Sequence, residues 1–237
     1  MVMRRRRIIW TAVAVCAGVA AYGQGGGAKA AWQEEFDLSS CNLQTTGRSQ
    51  YFVLEPGFRL TLEGGDTRLE ITVLEETKKV DGVVTRVVEE REWKDGKLYE
   101  IARNYLAMCQ ETKDVFYFGE DVDFYKDGRV VNHEGSWLAG TKGSRPGLIM
   151  PGSPKVKMKY YQEIAPGVAM DRAEIISVNE TCKTPAGTFA GCLKVKEGSA
   201  IEMFATEYKY HAPGIGFVGE EDVRLIKYGV IEGKGGR

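Results

Sequence analysis

"FRLTLEGGDTRLEITV", residues 58–73, decides the fold class. Phe58, Leu60 and Leu62 alternate with Arg59, Thr61 and Glu63, and Leu69, Ile71 and Val73 alternate with polar partners. Successive strand side chains point to opposite faces, so this period of two marks strands with one face in a core. Downstream, three Asp-Gly pairs punctuate the chain: Asp81-Gly82, Asp95-Gly96 and Asp127-Gly128. A type I′ turn needs positive φ at both central residues, which makes Asp-Gly between β-forming runs a strong hairpin signal. The spacing predicts about five antiparallel strands between residues 67 and 134. They are longer than the usual ~5–6 residues, and long strands twist and curl. The expected class is mainly β with little helix: a curved antiparallel sheet or partly open β-barrel.

"EGSWLAGTKGSRPGLIMPGSPKV", residues 134–156, holds five glycines and three prolines and reads as a loop. Strands are expected again over 157–163, 171–182, 188–196, 202–211 and 216–229. At the other end, Arg4 to Arg7 precede an apolar run of about 16 residues and the small residues Ala21 and Gly23. This is the pattern of a signal peptide over 1–23. The run is short of the ~20 residues of a spanning helix, so a retained anchor is the lesser alternative. Val15 before Cys16 disfavours lipid attachment there. Residues 24–50 read as a flexible leader that orders near Trp32 to Cys41, 51–229 as a single antiparallel β domain, and 230–237 as a disordered tail.

Cleavage after residue 23 takes four arginines from 32 basic residues and leaves 28 against 33 acidic ones, formally −5. Such a chain is a poor partner for nucleic acid. The expected location is outside the cytoplasm, in the periplasm or extracellular space, with membrane contact only through the signal segment.

An oxidising compartment makes Cys41, Cys109, Cys182 and Cys192 disulfide candidates, with three possible pairings. In "TCKTPAGTFAGC", residues 181–192, Pro185 and Gly187 fit a three-residue hairpin pairing Thr184 with Thr188. Cys182 then faces Ala190 and Cys192 faces Glu180. That diagonal of ~7 Å or more exceeds the ~4.4–6.8 Å of a disulfide unless a bulge at Gly191 shifts the register. No Cys-x-x-Cys or zinc-ligand spacing accompanies the pair.

"KTPAGTFAGCLKV" followed by "YHAPGIGFVGEED" resembles the paired turns of a broad group of exported bacterial β-proteins, mostly uncharacterised, with a T-P-A-G-x-F hairpin and an A-P-G-x-G-x-V turn. Thr184 to Phe189 and Ala212 to Val218 carry the two motifs. The resemblance implies a partly open antiparallel barrel in the cell envelope, similar in outline to lipoprotein-carrier half-barrels. It implies no catalytic residues, because both motifs are turns.

If Asp127-Gly128 is a two-residue turn, Lys126 pairs with Arg129, Asp123 with Asn132 and Asp121 with Glu134. Asp121, Asp123, Asn132 and Glu134 then share a face that suits Ca²⁺ or another hard cation; the alternative is a solvated outer face. No other cofactor is expected. His133 falls on the opposite, apolar face, and His211 reads as a cap on the Ala-Pro-Gly turn. Ser136, Ser144 and Ser153 lack a nucleophile-elbow context, and no phosphate or dinucleotide loop occurs.

Trp137, Leu148, Ile149 and Met150 either gate a ligand cavity on the concave face or plug it permanently. Tyr105, Phe116, Phe118, Tyr160, Tyr161 and Tyr208 read as sheet packing. The expected function is a non-catalytic binding or carrier module for an apolar or amphipathic ligand or an envelope partner. The alternatives are a structural protein pairing through a sheet edge, or a metal-dependent hydrolase.

Overall fold

The computed structural model describes residues 31–202 and 206–231, and every regular element among them is a β-strand. The expected signal segment, Cys16, the glycine-rich start of the leader, residues 203–205 and the tail from 232 lie outside the described residues. Four strands precede the first long one: β1 (Leu43–Gln44), β2 (Gly47–Arg48), β3 (Val53–Leu54) and β4 (Phe58–Gly64). The meander comprises β5 (Thr67–Val80), β6 (Val83–Lys94), β7 (Lys97–Cys109), β8 (Val115–Lys126) and β9 (Arg129–Asn132). Short β10 (Trp137–Leu138), β11 (Gly147–Met150) and β12 (Lys159–Tyr161) lead to β13 (Asp171–Thr184) and β14 (Gly187–Ser199). The chain closes with β15 (Thr206–Ala212), β16 (Gly216–Glu220) and β17 (Val223–Val230).

All three Asp-Gly pairs are hairpin turns with positive φ at both residues, for example 47° at Asp81 and 82° at Gly82. Fifteen strands form one sheet, whose main path runs β10, β8, β7, β6, β5, β4, β17, β16, β15, β14, β13, β12. Antiparallel pairing of β17 with β4 welds the two meanders together. The sheet is not closed into a barrel, but it curls far enough for both halves to share one core. Leu62 and Leu225, cross-strand partners, are wholly buried there, and Val195 and Tyr117 belong to the same core. Full burial of such side chains stabilises the fold by about 1.5–3 kcal/mol each.

The gap between the ends is spanned by the loop read at 134–156, which contributes β10 and β11 to the β8 edge. A bridge between Arg145 and Ile164 continues the crossing. At Gly147 a Cβ would stand 2.1 Å from the Gln162 carbonyl oxygen, so the crossing is close enough to require glycine.

Three expectations change. Residues 216–229 are two strands, turned at Glu221 and Asp222, with Glu220 opposite Val223. The Pro185 hairpin has a two-residue loop, pairing Thr184 with Gly187 and Cys182 with Phe189. Gly191, at φ 68°, then takes up a bulge, so that Cys192 still lies opposite Glu180 as expected. Finally, residues 31–50 dock on the sheet. Phe36, Leu38 and Leu43 pack on the core, Leu43 pairs with Cys109, and a Cys41–Cys109 disulfide staples the segment down. Cys182 and Cys192 remain buried thiols.

Candidate functional site

Residues opposite one another in adjacent strands share a face, so the register identifies what lines the inside of the curl. On one wall Val88 faces Asn104, Glu90 faces Ala102 and Glu92 faces Glu100. Asn104 in turn faces Glu120. On the other wall Leu193 faces His211, Val195 faces Lys209, Glu197 faces Glu207, and Lys209 faces Glu220. The inward series runs from apolar to acidic along β6 and β14 alike. The interior therefore has an apolar half and an acidic half.

A cavity of about 110 Å³ lies where the halves meet, well beyond the ~10–15 Å³ that one water needs. Phe58, Leu60, Leu69, Val73, Val88 and Leu106 line its apolar side. The half-buried Phe52, Ile71, Ile149 and Phe217 form the more exposed part of that lining. Its polar side carries Glu90, Gln162, Glu197, Lys209, His211 and Glu220.

Lys209 organises this polar side. Its ammonium lies 2.7 Å from Glu197, 3.1 Å from Glu207 and 4.0 Å from Glu220. Burial alone would lower its pKa, but the three carboxylates hold it well above the usual lysine value. Burial opposes ionisation of Glu197 too, yet Lys209 and a 2.9 Å bond from Gln162 keep its pKa low. The other acids have no such relief. Burial pushes Glu220 and Glu100 up to about 8, and Glu90 and Asp171 up to about 7. It also raises Glu120 and Glu163 well above the carboxylate range.

Burial drives His211 down to about 4, leaving it neutral, and neither ring nitrogen has a hydrogen-bond partner. Glu220, 3 % exposed, has an equally unpartnered Oε2. A buried polar atom without a partner costs about 1–3 kcal/mol. Glu220 Oε2 and the bare nitrogen of the neutral His211 ring are thus acceptors on one cavity without a donor, and the ring's N–H is a donor without an acceptor.

The residues expected to gate a cavity divide. Ile149 and Met150 line it. Leu148 and Trp137 are core residues: Leu148 pairs with Phe116 in the sheet, and Trp137 packs edge-on to Tyr117 at 5.4 Å. Tyr105, Phe116, Phe118 and Tyr160 are buried packing residues, Tyr161 stacks edge-on with Trp32, and Tyr208 is exposed.

Asp121, Asp123, Asn132 and Glu134 do not converge. Lys126 does pair with Arg129, but Asn132 lies opposite Phe124 and not Asp123, because the register shifts by one before Tyr125. Asp121 bonds to Lys78 at 2.8 Å and to the Tyr105 hydroxyl. Asp123 pairs with Arg103 at 3.2 Å and His133 at 2.9 Å. Asn132 accepts from the Glu134 amide. Lys78 neutralises Asp121 and Arg103 neutralises Asp123, which removes the repulsion that an ion would have relieved. His133 is two-thirds exposed and not on an apolar face. Among the described residues, the one trio of metal-type ligand atoms within 4.8 Å of each other is Cys41, Cys109 and Glu111, whose sulfurs are joined in the disulfide.

The sequence reading missed the acidic interior. Its signal was present in "VVEEREW" and "TEYKYHA", where Glu90 and Glu92 keep the parity of Val88, and Lys209 keeps that of His211. Comparison with protein-family models, curated proteins and solved structures found no match to this chain, so the site is interpreted from its own chemistry.

Proposed function

We propose that this protein is a non-catalytic binding or carrier module of the cell envelope, taking an amphipathic ligand into the interior of its open barrel. The observation that carries the reading is the cavity of about 110 Å³ with one apolar side and one polar side on which Glu220 Oε2 and both ring nitrogens of His211 lack hydrogen-bond partners. Ligand sites are concave, mainly apolar and fitted with a few converging polar groups. A packed structural core has neither the space nor the unpartnered atoms.

The sheet edges support the same reading. β8 is covered by β9, β10 and β11. β12 is three residues long, and Gln33 bridges to its Tyr160. Short or covered edges resist strand addition, which weakens an assembly role through edge pairing. Export accords with the Cys41–Cys109 disulfide, a bond that persists in oxidising compartments.

Native mass spectrometry of protein purified gently from its own envelope tests the proposal, with the same measurement after denaturation. The expected result is a mass excess that disappears on denaturation. Equal native and denatured masses, together with no uptake of added amphiphiles, refute it.

A further inference from the structure

We propose that the ligand's polar end is a cation: an ammonium group held against Glu220 and Glu90, with a short apolar tail in the half of the cavity lined by Leu60, Leu69 and Val88. This deepens the binding reading above and rests on it.

The charge of the lining is the first argument. Three carboxylates, those of Glu90, Glu197 and Glu220, face the cavity with one cation, Lys209. That lysine is already engaged by Glu197 at 2.7 Å and Glu207 at 3.1 Å. At about pH 8, where Glu197 and Glu90 are ionised and Glu220 half so, an incoming carboxylate or phosphate would meet like charge in a low-dielectric interior whose one cation is already engaged, which disfavours anionic lipids. The second argument is independent of net charge. Glu220 Oε2 and both nitrogens of His211 are buried without hydrogen-bond partners. A carboxylate oxygen and the lone pair of a neutral imidazole accept protons, and an ammonium supplies three. Lys209 is the internal precedent, an ammonium held by carboxylates on the same wall.

A bare divalent ion fits less well. Outside the disulfide region, no three ligand atoms among the described residues approach within 4.8 Å of one another. Ca²⁺ wants six to eight oxygens. An ammonium held by two carboxylates needs no such trio and brings a tail for the apolar side.

The test is isothermal titration of the ligand-stripped mature protein with octylamine, octanol and octanoate at about pH 8, where the amine is charged. Octylamine is expected to bind at least about tenfold more tightly than octanoate, with octanol between them. Glu220→Gln should weaken octylamine at least about fivefold and leave octanol unchanged; Glu90→Gln serves the same purpose if that variant does not fold. Octanoate binding as tightly as octylamine overturns the cation proposal and leaves the carrier reading intact. An octylamine affinity unmoved in both variants overturns the placement of the ammonium. If none of the three amphiphiles binds, both the cation proposal and the carrier reading fall.

Discussion

Raising the pH should destabilise this fold, and Glu100 supplies much of the reason. Its carboxyl is 6 % exposed. Burial pushes its pKa from the ordinary 4.5 to about 8, with Glu92 and Glu90 of β6 adding repulsion and Lys94 opposing it. Repulsion between Glu100 and Glu120 of β8 also raises the Glu120 carboxyl. Between these two values the folded chain keeps a proton that the unfolded chain has lost. The stability linked to this proton is complete below pH 4.5 and falls by about 1.4 kcal/mol per pH unit until pH 8. From pH 5.5 to 7.5 one such group removes about 2.5 kcal/mol, a large share of the ~5–15 kcal/mol that holds a domain together. Glu90, Asp171 and Glu220 act in the same direction. Urea unfolding followed by tryptophan fluorescence at three pH values across that window measures the slope directly. Glu100→Gln keeps the shape and removes the titration, so its slope should be shallower by about 1.4 kcal/mol per unit. Parallel slopes for the wild type and Glu100→Gln would refute the reasoning.

Lys209→Met leaves Glu197, Glu207 and Glu220 without their shared cation. It should cost about 3–5 kcal/mol near neutral pH and much less near pH 5, where the carboxylates protonate; urea midpoints at the two pH values decide this. Replacing Cys41 and Cys109 together by serine opens a loop spanning 68 residues. The expected loss is about 4 kcal/mol, read from thermal melts with and without reductant.

The fold was legible because its turns announce themselves. Asp81, Asp95 and Asp127 each precede a glycine at a position that demands positive φ, and the runs between them obey period two. The turn after Glu220 was not legible. Glu221 adopts φ 40° at a turn position that holds neither glycine nor asparagine, so "VGEEDVRL" reads as continuous strand. The docking of residues 31–50 was hidden for a different reason. It depends on one disulfide and three separated apolar side chains, and neither has a period. The acidic interior was misread because an acid in a half-buried strand is assumed to face water. Parity was the better guide: Glu90 and Glu92 share the face of Val88, whatever their charge.

That misreading bears on function. A sequence under selection for stability alone would fill the positions of Glu90, Glu197 and Lys209 with apolar residues, since replacing buried ionic groups by well-packed hydrophobes is often neutral or stabilising by about 1–4 kcal/mol. The apolar half of the same strands does follow that rule, with Val88, Leu106, Leu193 and Val195 all buried. One set of strands thus obeys the packing rule at one end and violates it at the other, and the violation coincides with the cavity and with Glu220 Oε2 and the His211 ring left without hydrogen bonds. Departures from local consistency concentrate where function opposes stability. A donor arriving from outside the chain removes the departure at a stroke, because it supplies the positive charge and the hydrogen-bond donors that the interior lacks.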